Sequence, residues 1–181
     1  MSDRNPNVPH DTEDRGWWYL HGAAMEKEFV KLCRTKFGLD AEINPAKDED
    51  PCAPDLMVNG GLADLKSQRT PFYTARRFGI DPRYAVTFNR KDYERYKAYY
   101  SDISIYFWLD WTETSSRWGT VDYYGGIFHL PFSDVAALIE AGAPEHSYQH
   151  RVGPGDPNAK SSFILDIRKF TALFATERRE G

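Results

Sequence analysis

Hydrophobic positions along this chain follow two periods, one near 3.6 residues and one near 2. From Gly22 to Phe37 the apolar residues Met25, Phe29, Val30, Leu32, Cys33 and Phe37 fall in one arc at about 100° per residue. That spacing predicts an amphipathic helix, with Gly38 as its stop. Residues 41–44 are expected to form a first strand. Leu56-Met57-Val58 and Leu62-Ala63-Asp64-Leu65-Lys66 predict two more, separated by the turn signal Asn59-Gly60-Gly61. Thr70 to Pro82 reads as irregular, with Gly79 and Pro82 as breakers. Tyr84 to Phe88 reads as a strand, and Asn89 caps a helix through about Tyr100. Ile103 to Trp111 is the strongest strand pattern and is expected to be central. Trp118 to Leu130 reads as one or two strands broken at Gly125-Gly126. Ser133 caps a short helix to Ala141, residues 142–160 are loop-rich, and Ser162 to Ile167 is a last strand with a short helix after it to about Ala175. Residues 1–16 are polar with two prolines and are expected to be a flexible tail. Trp17, Trp18, Tyr19 and Leu20 are expected to pack just before the first helix, as a hydrophobic staple. Residues 17–181 then read as one domain, with a C-terminal elaboration from about residue 132.

Charged residues that interrupt this pattern carry the chemistry. Glu26 lies roughly 40° from the centre of the helix's apolar arc and Glu28 roughly 120° from it. Glu26 is therefore expected to face inward, and Glu28 to flank the solvent side with Lys27, Lys31 and Arg34. Asp55 follows Pro54 at the opening of one apolar run. In the next run, alternate side chains share a face, so Asp64, Lys66 and Gln68 point one way and Ala63 and Leu65 the other. Charges inside an apolar strand are costly unless paired or metal-bound. Two carboxylates and a lysine on neighbouring strands suit Mg²⁺ and an activated water beside a phosphodiester. The plainer alternatives are a surface hairpin with an Asp–Lys ion pair, and a glutamate that caps or snorkels.

An inward Glu on a helix, Pro54-Asp55 at a strand start, and Asp64-x-Lys66 one strand later resemble the PD-(D/E)XK nuclease superfamily. The segment GAAMEKEFVKLC is especially similar to the first helix of archaeal Holliday-junction resolvases, and PDLMV and LADLK to their second and third strands. The resemblance covers residues 22 to 66. It implies an α/β, restriction-endonuclease-like fold, a central mixed β-sheet flanked by α-helices. It implies a Mg²⁺-dependent deoxyribonuclease, with Mn²⁺ able to substitute. The implied metal ligands are Asp55, Asp64 and Glu26, and Lys66 completes the catalytic set. Asp64 stands where the family more often has Glu. Gln68 is added as a contact to the scissile strand, because it shares the face of Lys66. Endonuclease and exonuclease action both stay open. So does a catalytically inactive nucleic-acid-binding or protein-interaction module on the same fold.

Charge distribution changes the picture of the partner. The net charge of −4 argues against nucleic acid, but it is unevenly spread. Residues 1–65 carry 7 basic and 13 acidic groups (net −6), residues 66–97 carry 9 and 3 (net +6), and residues 98–181 carry 7 and 11 (net −4). The basic block includes Arg69, Arg76, Arg77, Arg83, Arg90 and Lys91, interleaved with Phe72, Tyr73, Tyr84, Tyr93 and Tyr96. Arginine with aromatics beside a cutting site suits phosphate contact and base stacking, so these six are the expected DNA contacts, to duplex or branched DNA. A homodimer is allowed.

The remaining features exclude more than they add. No apolar stretch reaches the roughly 18 residues of a membrane span. The polar N-terminus lacks a signal-peptide core, and Cys33 and Cys52 form no disulfide or zinc pattern, so a cytoplasmic setting is expected. His146 and His150 have helical metal-pair spacing, but Gly142, Pro144 and Pro154 favour a loop there. Asp102, Asp110 and Asp122, around the strongest strand, have the position for acids behind a metal site, but strand-end carboxylates are more often solvated.

Overall fold

The amphipathic pattern at the start of the chain extends further than its apolar arc. In the computed structural model, which describes residues 15–147 and 161–178 and side chains from residue 22 on, helix α1 spans Arg15–Leu32 and continues as a π-helical turn, Cys33–Phe37. Trp17 to Leu20 thus lie inside α1 and are not a staple before it. Helix propensity carries across them because Arg15-Gly16 holds no proline and no turn-forming pair. Gly38 ends the helix at φ 62°, a left-handed conformation that glycine adopts without strain, and Leu39 N–H donates to the Cys33 carbonyl at 2.9 Å.

Residues 1–60 and 61–181 form two compact units. In the first, α1 packs on β1 (Ala41–Ile43), and β1 pairs antiparallel with β2 (Leu56–Val58), Ala41 opposite Val58 and Ile43 opposite Leu56. Between them a 3₁₀ turn, Pro45–Asp48, is capped by the Asn44 side chain, which accepts from Ala46 N–H at 3.1 Å. Asn59 (φ 50°) and Gly60 (φ 78°) are both left-handed, the two positions a type I′ turn requires.

The second unit holds a mixed sheet. Its strands run in the order β3 (Gly61–Gln68), β5 (Ser104–Leu109), β8 (Gly125–Pro131) and β11 (Thr171–Thr176). β3 and β5 are parallel, Asp64 opposite Ile105 and Lys66 opposite Phe107; β5–β8 and β8–β11 are antiparallel. β5 is central, as its pattern predicts. A second sheet has β4 (Ala85–Asn89) and β9 (Glu145–Ser147) on either side of β10 (Ser161–Asp166). Helices α2 (Arg90–Tyr99) and α3 (Phe132–Glu140) pack against both sheets' strands. Ile105, Phe107 and Leu109 on β5, Phe128 on β8, Val86 and Phe88 on β4 and Tyr96 on α2 make one aromatic-rich core. Each such side chain, fully buried, contributes about 1.5–3 kcal/mol relative to exposure. A mixed α/β fold is therefore present, with a mixed sheet and, among the described residues, three α-helices.

Three further expectations are corrected. The chain after Ile167 is not a helix: a 3₁₀ turn, Ile167–Lys169, leads into strand β11, whose antiparallel pairing with β8 fixes it as an edge strand. Gly125-Gly126 does not break a strand. The break is at 121–124, and both glycines lie in β8. Gly126 (φ 144°) is needed there because a Cβ would meet the Phe174 carbonyl oxygen at 2.1 Å, where the β8–β11 register shifts. Ser133 is not the cap of α3; Pro131 occupies that position without a side-chain hydrogen bond. Short hairpin strands β6 (Ser115–Ser116) and β7 (Gly119–Thr120) precede β8.

Candidate functional site

Each unit organises two carboxylates around one lysine. In the first, the phase of α1 is as its arc predicts: Phe29 and Cys33 are buried, Glu28 is exposed, and the Glu26 side chain is only 15 % exposed. Glu26 accepts from the Lys47 ammonium through both carboxylate oxygens at 3.0 Å, and Asp55 accepts from the same ammonium at 2.8 Å. Burial works against the charge of Lys47, but the bonds to Asp55 and Glu26 outweigh it and hold its pKa above the ordinary lysine value.

In the second unit the pleat of β3 decides the geometry. Asp64 and Lys66 share the face of Ile105 and Phe107, toward the core, and Ala63 and Leu65 are buried on the other. The Asp64 side chain is 3 % exposed and lies 2.6 Å from Lys66 Nζ. On its other side Lys66 donates to Asp92 at 2.6 Å, from the first turn of α2. Asp92 is placed there by the Asn89 cap, whose side chain accepts from Lys91 N–H at 2.8 Å, and the acid suits the helix N-terminus. Arg95 donates to Asp92 at 3.1 Å and to the Tyr96 hydroxyl at 2.9 Å. The Phe88 and Tyr96 rings each lie 5.8 Å from the ammonium. Burial disfavours the charged lysine, yet Asp64, Tyr96 and Asp92 outweigh it and its pKa stands well above the usual range. Burial likewise raises the Tyr96 phenol, with the two aspartates adding to the shift against Lys66.

The structure thus brings Glu26 to Asp55 and Asp64 to Lys66. Gln68 is engaged elsewhere: its amide donates to the Ala85 carbonyl at 3.0 Å and ties β3 to β4. Lys47, Asp92, Arg95 and Tyr96 were not singled out as site residues from the sequence. Asn89 followed three residues later by an acid was the one available signal for Asp92, and it marks a helix start before it marks a site. Hard carboxylate oxygens converging in pairs on one cation are the donor type that Mg²⁺ takes, usually with one or two carboxylates and retained waters. Among the described residues, no three His, Cys, Asp or Glu gather to hold a metal.

The six basic residues have different fates. Arg83 pairs with Glu177 at 3.3 Å and lies over the Tyr84 and Tyr124 rings. Arg90 makes a two-pronged contact to Glu145 and a 3.6 Å pair with Glu94. Its bond, with help from Ser161, pulls the Glu145 carboxyl down to about 2. The Arg69 carbonyl accepts from Thr112 N–H at 2.8 Å. Lys91 is exposed on α2. Arg76 and Arg77 are exposed on a 3₁₀ turn, Ala75–Phe78, with no ion pair to an acid among the described residues.

His146 lies in β9 with its ring 5.3 Å from Phe72 and 5.7 Å from Phe78, and His150 lies outside the described residues. Asp110 accepts from the Tyr123 hydroxyl at 3.1 Å, and Asp102 and Asp122 are exposed. Cys33 is buried and pushed up to about 11 by burial, which makes it a poor nucleophile; Cys52 is exposed. No described helix is long and apolar enough to cross a membrane. No family model, curated protein or solved structure matches this chain.

Proposed function

We propose that the protein is a metal-dependent nuclease of the PD-(D/E)XK type, with a restriction-endonuclease-like fold, acting on DNA. The observation that carries the reading is the Asp64–Lys66 pair: an acid and a lysine two residues apart on a core strand, 2.6 Å from each other, with the lysine held charged by its surroundings. A purely structural strand has little use for that burden, because replacing a buried ion pair with apolar residues is often neutral or stabilising. In the second unit the reading assigns Asp64 as a Mg²⁺ or Mn²⁺ ligand; in the first it assigns Asp55 as a ligand and Glu26 to a metal's water shell. Bound there, the ion supplies Lewis-acid polarisation of the phosphate and a more acidic water. Lys66, compact and held cationic by its acidic partners, steadies charge that develops on the phosphoryl oxygens. Asp92 holds that ammonium in place from α2 and is itself held by Arg95. Arg76 and Arg77 contact phosphates.

One observation favours a second reading, a catalytically inactive nucleic-acid-binding module. Lys47 already neutralises Glu26 and Asp55, and no three-ligand group is present among the described residues. A single gel separates the two. The protein is incubated with single-stranded, duplex, flap and four-way-junction DNA in Mg²⁺, Mn²⁺ and EDTA, beside Lys66→Ala. Metal-dependent cleavage that Lys66→Ala loses while still binding DNA is the expected result. Cleavage by Lys66→Ala at the wild-type rate, or none by the wild type on any substrate, overturns the nuclease reading.

A further inference from the structure

The hairpin of β6 and β7 carries an exposed tryptophan at its tip. Ser115 pairs with Thr120 and Ser116 with Gly119, so Arg117 and Trp118 are the two turn residues. The turn is closed locally. Trp118 N–H donates to the Ser116 hydroxyl at 3.1 Å, the Ser115 and Thr120 hydroxyls are 3.0 Å apart, and Val121 N–H donates to the Thr114 carbonyl at 2.8 Å. These contacts fix the hairpin without covering the indole, which remains 52 % exposed. Two guanidiniums lie over that ring, Arg117 at 4.8 Å and Arg77 at 5.1 Å from its centroid. Arg77 comes from the 3₁₀ turn 40 residues earlier, next to Arg76, so the cluster is built by tertiary structure and not by the hairpin alone. All three arginines are exposed, and none pairs with an acid among the described residues.

We propose that Trp118, Arg77 and Arg117 form a binding platform for an unpaired segment of nucleic acid. The chemistry selects this ligand. An indole at a fixed tip offers a flat face for a base, and stacking of this kind tolerates any sequence. Guanidiniums on the ring stack with bases in the same way and keep their N–H edges for phosphate oxygens. Three cations, Arg76 included, complement an anionic backbone. A duplex hides its base faces, so the platform distinguishes unpaired from paired strands. This rests on the nuclease reading in one respect: it names single-stranded or branched substrates as those the enzyme holds. The binding itself needs no metal and no cleavage.

The test is fluorescence anisotropy with labelled 12-nucleotide oligo-dT and oligo-U in EDTA. Wild type, Trp118→Ala, Trp118→Phe, the Arg77→Ala/Arg117→Ala double variant and Glu28→Gln are compared. Trp118→Ala is expected to weaken binding about 5- to 100-fold, the range for losing one base stack. Trp118→Phe keeps most of the affinity. The double arginine variant flattens the salt dependence by about 1.4, at about 0.7 per phosphate on single strands. Glu28→Gln, on the exposed face of α1, binds as wild type, and since binding is read in EDTA, failure of the nuclease assignment leaves this result standing. Affinity of Trp118→Ala equal to wild type overturns the proposal. So does an equal loss on a blunt 12-base-pair duplex, or a poly-glutamate peptide that competes as well as the oligonucleotide. Oligo-dT against oligo-U reports whether the strand is DNA or RNA.

Discussion

The two lysine–carboxylate clusters use the same three charges in different settings. Around Lys47, itself on a 3₁₀ turn, the two partners come from a helix and the segment before β2, and all three side chains are 15–24 % exposed. Around Lys66, one partner is on the same strand and the other on a capped helix, and Asp64 is 3 % exposed beneath an aromatic core. Water reaches every member of the first cluster; in the second it reaches Lys66 and Asp92 to a similar extent, 23 % and 21 % exposed, but barely reaches Asp64. Coulomb interactions are correspondingly stronger at Asp64, and so is the penalty for breaking its pair. A cluster of the first kind can exchange its cation at low cost. The second is fixed by packing.

The largest effect expected from this difference is at the aspartates. Asp64→Ala removes the buried carboxylate of the pair and leaves Lys66 with only Asp92, and urea unfolding should register a loss of about 3 kcal/mol. Asp55→Ala should cost about 1 kcal/mol at most, since its ion pair is partly solvated. Similar losses in the two variants would erase the contrast.

Alkaline titration sharpens it. Both lysines have native pKa values raised above the unfolded value near 10.4. Their contribution is therefore complete below about pH 10.4 and is lost as pH rises through the higher native values, because the native state then holds protons that the unfolded state has released. One such group adds at most about 1.4 kcal/mol per pH unit to the slope. Lys66→Met should flatten the decline of stability above pH 10.4 more than Lys47→Met does, measured by denaturant unfolding at several pH values. A larger change in Lys47→Met would reverse the assignment.

The smallest contrast lies within the first cluster. Glu26→Gln removes half of the charge facing Lys47 and should cost about 1 kcal/mol, whereas Glu28→Gln, on the exposed face of α1, should leave the melting temperature unchanged. A loss confined to Glu28→Gln would mean that the helix phase is wrong.

Periodicity alone placed much of this. The arc through Phe29 and Cys33 put Glu26 inward and Glu28 outward, and the period of 2 in β3 put Asp64 with Lys66. These are local consequences of 3.6 residues per turn and of the pleat, so the chain determines them without reference to its neighbours. The strand pattern of β5 likewise announced a central strand. At β11 local reading failed, because Thr, Ala, Leu and Phe fit a helix or an edge strand about equally and pairing with β8 decides between them.

Long-range packing alone decided the partners. Lys66 meets Asp92 across 26 residues and Lys47 meets Glu26 across 21. Arg83 and Arg90, indistinguishable by sequence from Arg76 and Arg77, are paired with acids, whereas Arg77 lies on the ring of Trp118. Periodicity can say which way a charge points. Which charge it meets depends on how the elements pack, and that information is not local.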